Sequence, residues 1–281
     1  MRVLITGARG FTARYLVDRL KQKYELHLTD LEAGKEGNWH QCDLTDFASV
    51  SKLIAGIRPA QIYNLAGSFT NSYEDDYRGN VLSAKNLFDS ILREGIGCRL
   101  LLVGSAAEYG FVHPEDNPVK EDHQLSPVSI NGLTKAFQTH LMRFYHIVYG
   151  IDTVMARTFN LLGKGISKRL FVGRLQDQIE RYKRGEITRI SLGNLNNKRD
   201  YIDIGMAIEY YMAVMERGQT GEIYNIGSGK SIRIYDLLEM ILKENNLDIS
   251  IVEEKAVEHN RFDVTDIYAD ITKIKEICEM S

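Results

Sequence analysis

The residues whose types and spacing could do chemistry begin at position 6. Thr6-Gly7-Ala8-Arg9-Gly10-Phe11-Thr12-Ala13 follows an apolar run at 3–6 and leads into a helical pattern. Two glycines there let a pyrophosphate approach the backbone N–H groups at a helix N-terminus, where the helix dipole favours negative charge. A Gly-x-x-Gly pair is common in turns, so its position between first strand and first helix carries the argument. Asp30 adds to it at the end of the second predicted strand. An acidic side chain there accepts from an adenosine ribose 2′-OH and repels a 2′-phosphate. Arg9 works the other way, since a loop arginine can pair with a 2′-phosphate. The expected cofactor is a dinucleotide, NAD(H) ahead of NADP(H).

These residues need a scaffold that brings loop and acid to one edge. Short apolar runs predict strands at 3–6, 25–30, 61–66, 99–105 and 152–158. Helical spacing predicts helices at 11–21, 46–57, about 75–93 and 129–149. The run at 99–105 is apolar without alternation, as a strand covered on both faces requires. This βαβ alternation predicts an α/β fold, a Rossmann-type doubly wound parallel sheet. After Gly163 the alternation loosens, with helices expected at 170–183, 204–217 and 231–244 and short strands at 189–192 and 222–226. The expected organisation is a single structural unit with a dinucleotide-binding body over 1–165. A strand near 222–228 returns to that body, and 166–281 forms mostly a smaller C-terminal substrate-binding lobe across a cleft.

Composition removes other classes. The 281 residues suffice for a core without covalent staples. Three Cys form no metal or redox spacing and no even framework, so they read as thiols in a reducing compartment. Lys plus Arg is 35 against 38 Asp plus Glu, which argues against a nucleic-acid partner. None of the seven His has metal-ligand spacing, so His40, His113 and His123 read as surface loop residues and no metal is expected. No stretch reaches the ~18 apolar residues of a membrane span, and the N-terminal run is too short for a signal peptide. A cytoplasmic protein without a membrane partner is expected.

With these features goes a set of further motifs. The sequence has Cys42-Asp43-Leu44, Asn64-Leu65-Ala66-Gly67, Gly104-Ser105-Ala106-Ala107-Glu108-Tyr109-Gly110 and Ser126-Pro127-Val128-Ser129. Arg157-Thr158-Phe159-Asn160, Gly193-Asn194-Leu195-Asn196-Asn197-Lys198-Arg199-Asp200-Tyr201 and Tyr224-Asn225-Ile226-Gly227-Ser228-Gly229 follow. Over nearly its whole length the chain resembles the extended short-chain dehydrogenase/reductase family. It looks most like the branch of GDP-mannose 4,6-dehydratases and GDP-4-keto-6-deoxymannose reductases. The resemblance implies a seven-stranded sheet, a small substrate lobe and a homodimer, with the helices near 75–93 and 129–149 as dimer face. It implies that Asp43 and Leu44 flank the adenine and that Leu65, Ala66 and Gly67 line the dinucleotide groove. Asn160, Val172, Arg199 and Arg261 match positions that hold the nucleotide-diphosphate sugar, where arginine offers a bidentate fork.

The family acts at a sugar C4 through Ser or Thr, Tyr and Lys. Ser105 matches the first and would hydrogen-bond the C4 oxygen. Lys135 matches the last and would anchor the nicotinamide ribose and lower the pKa of a neighbouring Tyr. The Tyr position, one helical turn before Lys135, holds Asn131. Asn can donate a hydrogen bond but cannot exchange a proton near neutral pH. Another group such as Tyr109 could supply the proton, although packing against the cofactor loop is the preferred role for Tyr109. Ala106 and Ala107 stand where dehydratases carry their elimination acid and base, so reduction or C4 epimerisation is preferred to dehydration. Glu108 reads as structural. The leading expectation is a GDP-4-keto-6-deoxyhexose reductase using NAD(P)H. A non-catalytic dinucleotide or nucleotide-sugar binder and an NDP-sugar 4-epimerase remain as alternatives.

Overall fold

A computed structural model describes residues 1–32, 34, 37–255 and 264–279. The central sheet has seven parallel strands. In chain order they are β1 (Arg2–Thr6), β2 (Glu25–Asp30), β3 (Trp39–Gln41), β4 (Gln61–Asn64), β5 (Arg99–Ser105) and β6 (Thr153–Thr158), with a late strand Ile223–Ile226. Between β6 and that strand lie β7 (Asn160–Leu162), β8 (Ile190–Leu192) and β9 (Lys198–Asp203), so the late strand is β10. The sheet order is β10-β6-β5-β4-β1-β2-β3. Strand order reverses between β1 and β4, which opens a crevice at their C-terminal ends.

Alternation along the strands builds two cores. Val3 and Ile5 face one side of β1 with α1 (Phe11–Leu20), while Leu4 faces the other with α2 (Phe47–Ile57). The first side is completed by a helix at Ile204–Arg217 and another at Thr272–Glu279; the second by two helices at Ser83–Glu94 and Ile130–Tyr149. With α3 (Tyr73–Tyr77) and a helix at Phe171–Lys183 counted in chain order, these are α7, α9, α4 and α5, and Phe171–Lys183 is α6. Both faces are dry, which explains the continuous apolar run in β5.

A second sheet centres on β9, which pairs with β7, with β11 (Ser231–Arg233) and with β13 (Asp266–Ile267). A separate core joins α6 and β8 to α8 (Ile234–Glu244), with β12 (Val252–Glu254) on β8. The late strand does return to the main sheet, pairing with β6 from Ile223 to Ile226.

Several elements differ from the sequence expectation: β7, β9, β12, β13 and α9 were not expected, and Ser231–Arg233 is strand β11 where the helix at 231–244 was to begin. β3 was not foreseen, because three residues are too few for any periodicity to show. β4 stops at Asn64 because Thr6 Oγ1 donates to Asn64 Oδ1 at 2.6 Å and accepts from Ala66 N at 3.2 Å, which turns the chain away from the ladder. The helix expected at 75–93 is broken by a wider π-type turn at Arg78–Leu82. Gly79 lies so close to Ser68 that a Cβ would meet its side chain at 2.5 Å. The Asn80 side chain binds Ser68 N and O and Thr134 Oγ1 at 2.9–3.0 Å. Those bonds hold the turn open at the cost of regular helix.

Candidate active site

Parallel strands place the ends of β1, β2, β4, β5 and β6 along one edge. Ser105 ends β5, Leu65 to Gly67 follow β4, Gly7 to Gly10 follow β1, and Asn160 follows β6. A cleft of about 760 Å³ opens there. Ser105, Asn131 and Lys135 all line it, although Ser105 lies on a strand end and the other two on α5. Phe11, Thr12, Leu65 and Gly67 line it from the dinucleotide side, and Asn160, Val172 and Arg199 from the other. Gly7, Arg9, Gly10, Asp30, Asp43, Leu44 and Ala66 are not in its lining. Arg261 lies outside the described residues.

The glycine loop has the shape an anion needs. Gly7 is left-handed (φ +60°), and a Cβ on it would come within 2.8 Å of the Ala66 backbone. Gly10 caps α1 without any side-chain hydrogen bond, so the first-turn N–H groups have no competitor for a phosphate. Asp30 Oδ2 accepts from Arg9 N at 2.9 Å, which ties β2 to the loop. The Arg9 guanidinium lies 3.8 Å from Glu32 and 5.6 Å from the ring centre of Trp39. These residues fit a dinucleotide. Asp43 folds back on Thr45 N and Oγ1 at 2.8 Å. The Leu44 side chain is buried in the core beneath, and its carbonyl accepts from Asn86.

Gly7→Ala should therefore fail twice, by backbone strain of about 1–3 kcal/mol and by collision with Ala66. The expected result is at least tenfold weaker dinucleotide binding with a lowered melting temperature. Quenching of Trp39, the single tryptophan, measures the first and thermal unfolding the second.

One wall of the cleft is built from α5. Ser129 caps the helix by accepting from Gly132 N at 3.1 Å, and Gly132 leaves no room for a Cβ against Ala107 O. Asn131 and Lys135 then share one face. The Asn131 amide has no hydrogen-bond partner among the described residues; only its backbone carbonyl accepts, from Thr134. Lys135 Nζ donates to Val103 O at 2.7 Å and to Gln138 Oε1 at 3.3 Å. Burial of the ammonium lowers its pKa to about 8, against the opposing pull of Glu108 and Asp76. Ser105 Oγ accepts from Ala107 N at 3.2 Å and donates to no described residue, which leaves its proton for a ligand oxygen.

Tyr109 is elsewhere. It is fully buried, its hydroxyl donates to Asn225 Oδ1 at 2.6 Å, and the Arg157 guanidinium lies 4.7 Å from its ring centre. Burial pushes it up to about 12. It packs rather than supplying a cleft proton. Glu108 is sealed in the same layer, accepting from Ser105 N, Thr139 Oγ1 and Arg157.

On β9, alternation sends Arg199 and Tyr201 to the cleft and Asp200 inward. Asp200 accepts from Ser228 N and Oγ, Gly229 N and Ala269 N at 2.7–3.1 Å. It is the clamp that holds β9 in place. Its backbone carbonyl also accepts from Asn160 Nδ2 at 2.9 Å. Tyr201 was missed by the sequence reading, though its period-2 spacing from Arg199 was a usable signal. Arg169 also lines the cleft and donates to Phe69 O at 2.9 Å, bridging its two walls. No local pattern announces a contact that spans so much chain. Among the described residues no group of His, Cys, Asp and Glu could hold a metal, and no helix is long and apolar enough to cross a membrane.

The sequence profile of the NAD dependent epimerase/dehydratase family matches residues 3–227. The chain belongs to that family. A GDP-6-deoxy-D-mannose reductase of Pseudomonas aeruginosa is 25% identical over 91% of this chain and 84% of its own length. Among solved structures of this fold, the RMD protein of Pseudomonas aeruginosa, solved with NADPH, superposes with a TM-score of 0.86 at 22% identity, covering 98% of this chain and 91% of that one. The UDP-glucose 4-epimerase of Thermus thermophilus, solved with NAD, gives 0.84 at 24% identity over 98% and 92%. This epimerase/dehydratase family member thus has the doubly wound fold its sequence predicts.

Proposed function

We propose that the protein reduces the C4 ketone of a nucleotide-diphosphate sugar, a GDP-linked 4-keto-6-deoxyhexose, with a nicotinamide dinucleotide. The observation that carries this reading is the convergence of Ser105, Asn131 and Lys135 on one cleft with Phe11 and Thr12 on one side and Arg199 on the other. When bound, the reduced nicotinamide supplies a hydride. The chain's residues do the rest. Ser105 Oγ–H and the Asn131 amide N–H hold and polarise the C4 oxygen. Lys135 holds the nicotinamide ribose, and the Gly7–Gly10 loop and α1 N-terminus hold the pyrophosphate. Arg199 and Asn160 hold the sugar diphosphate, with Val172 packing beside them and most of that side drawn from 166–281. Asp43 and Leu44 border the adenine. Arg261 matches a further position for the diphosphate.

NAD(H) is the proposed partner rather than NADP(H), because Asp30 and Glu32 surround Arg9 and both repel a 2′-phosphate. The alanines at 106 and 107 support reduction over dehydration. In this reading the protein works in the cytoplasm as a homodimer, whose partner copy covers the exposed Phe137, Phe144 and Val148 of α5.

Purified protein mixed with GDP-4-keto-6-deoxymannose and NADH should oxidise the cofactor above background, and faster than with NADPH. No oxidation with either cofactor would sink the reductase reading. Thermal stabilisation by dinucleotide and nucleotide sugar without turnover would establish the second reading, a binder without catalysis, which the missing Tyr at position 131 favours.

A further inference from the structure

A reductase must give its product oxygen a proton, and the cleft offers few sources. Its lining contains no Asp, Glu, His or Cys among the described residues. Its titratable side chains are Lys135, Tyr201, Tyr211, Arg169 and Arg199. The arginines stay charged at any working pH. Tyr211 is fully buried and hydrogen-bonded to Thr158 Oγ1 at 2.7 Å. Tyr201 packs with Phe11, Ile166 and Val172 and stands on β9 with Arg199, not on the α5 face that carries Asn131. Tyr109, the other candidate, is committed to Asn225.

Lys135 is what remains, and its surroundings suit the task. An ammonium has three N–H groups. Two end on Val103 O and Gln138 Oε1, which leaves one for the cleft, shared between the nicotinamide ribose and a water on the face that carries Asn131. Gln138 is itself held. It is fully buried, and its Nε2 donates to Asn80 O at 3.0 Å, at the π-type turn between α3 and α4. The turn that breaks the helix thus aims the amide that aims the lysine.

We infer that Lys135 is the acid of this site, passing its proton to the sugar C4 oxygen across one water held by the Asn131 amide. The inference rests on the reductase reading above. As C4 takes a hydride from the reduced nicotinamide, the carbonyl π pair moves to oxygen. The oxygen takes a proton from the water, the water takes one from Nζ, and solvent reprotonates the neutral amine. An Asn side chain falls short of a Tyr by about the length such a water fills. Gln138 is the positioning residue. The charged groups facing Lys135 are Glu108, already paired with Arg157, and Asp76, which accepts from Ser68, Thr70 and Asn71.

The test is the pH dependence of kcat/KM for reduction of the GDP-linked 4-keto sugar, with dinucleotide binding read separately from Trp39 quenching. The acid form must be present, so the rate should hold below pH 8 and fall tenfold per pH unit above about 8. Lys135→Arg keeps the charge but cannot give up the proton. It should lose about 10²–10⁴-fold in kcat and the limb near 8, with rates compared at saturating dinucleotide because Lys135 also holds the ribose. Gln138→Glu adds a carboxylate beside the ammonium and should move the limb to higher pH by about one unit; it decides the matter if Lys135→Arg does not fold. A wild-type rate without that limb, an Arg variant with unchanged kcat, or a limb unmoved in Gln138→Glu would each overturn the role of Lys135. No turnover in the wild type, with Trp39 still reporting dinucleotide binding, overturns the reductase reading and this role with it.

Discussion

Asn131→Tyr is expected to raise kcat/KM for reduction of the 4-keto sugar by on the order of 10²-fold. The site can receive the change. The Asn131 amide makes no bond to any described residue, so its removal leaves nothing orphaned among them. The capped start of α5, with Gly132 pressed on Ala107 O, keeps the new side chain on the face of Lys135. A phenol there would reach the C4 oxygen without a bridging water, and the nearby ammonium would lower its pKa from about 10. The gain reflects a shorter proton path rather than a new acid, because Lys135 would recharge the phenol. Initial rates of the two proteins at one pH and matched dinucleotide saturation measure it. An equal or lower rate would mean that the cleft has been rebuilt around Asn and no longer admits a ring.

Arg157→Leu should be the most destabilising single change near the site, lowering unfolding free energy by about 3–5 kcal/mol. Arg157 and Glu108 are both sealed from solvent, with Nη2 and Nε each 3.1 Å from Glu108 Oε2. Arg157 Nη1 also donates to Glu121 O at 3.1 Å. Removing the cation leaves a carboxylate with no way to reach water, and that penalty exceeds the loss of the attraction itself. A melting temperature lower by roughly 10 °C is expected. Catalysis should suffer as well, since Glu108 Oε1 accepts from Ser105 N at 2.8 Å and fixes the end of β5. Adding Glu108→Gln should restore part of the stability. A shift below about 2 °C in the single variant would show that the pair is not what holds this layer.

Much of this site was legible in one dimension because its parts obey local rules. Gly7 and Asp30 announce themselves by following strands, and the spacing of Asn131 and Lys135 puts them on one helical face whatever else the chain does. The doubly wound sheet follows from alternating apolar periods, and dry faces on both sides explain why β5 carries no polar alternation. Tyr201 lay within the same reach, two residues from Arg199 on a strand.

Other features were settled only when distant segments met. The role of Tyr109 depends on Asn225, more than a hundred positions away. The break at Arg78–Leu82 depends on Ser68 and Thr134, and the carbonyl it exposes meets Gln138 only because α4 and α5 pack on one face of the sheet. The same packing half-buries Lys135, and desolvation of its ammonium lowers its pKa to about 8. The sequence by itself determined which side chains end the strands and which share a face of α5, Asn131 and Lys135 among them. Only the tertiary structure decided how each of them is buried and bonded, because desolvation and hydrogen-bond partners belong to the fold and not to the residue.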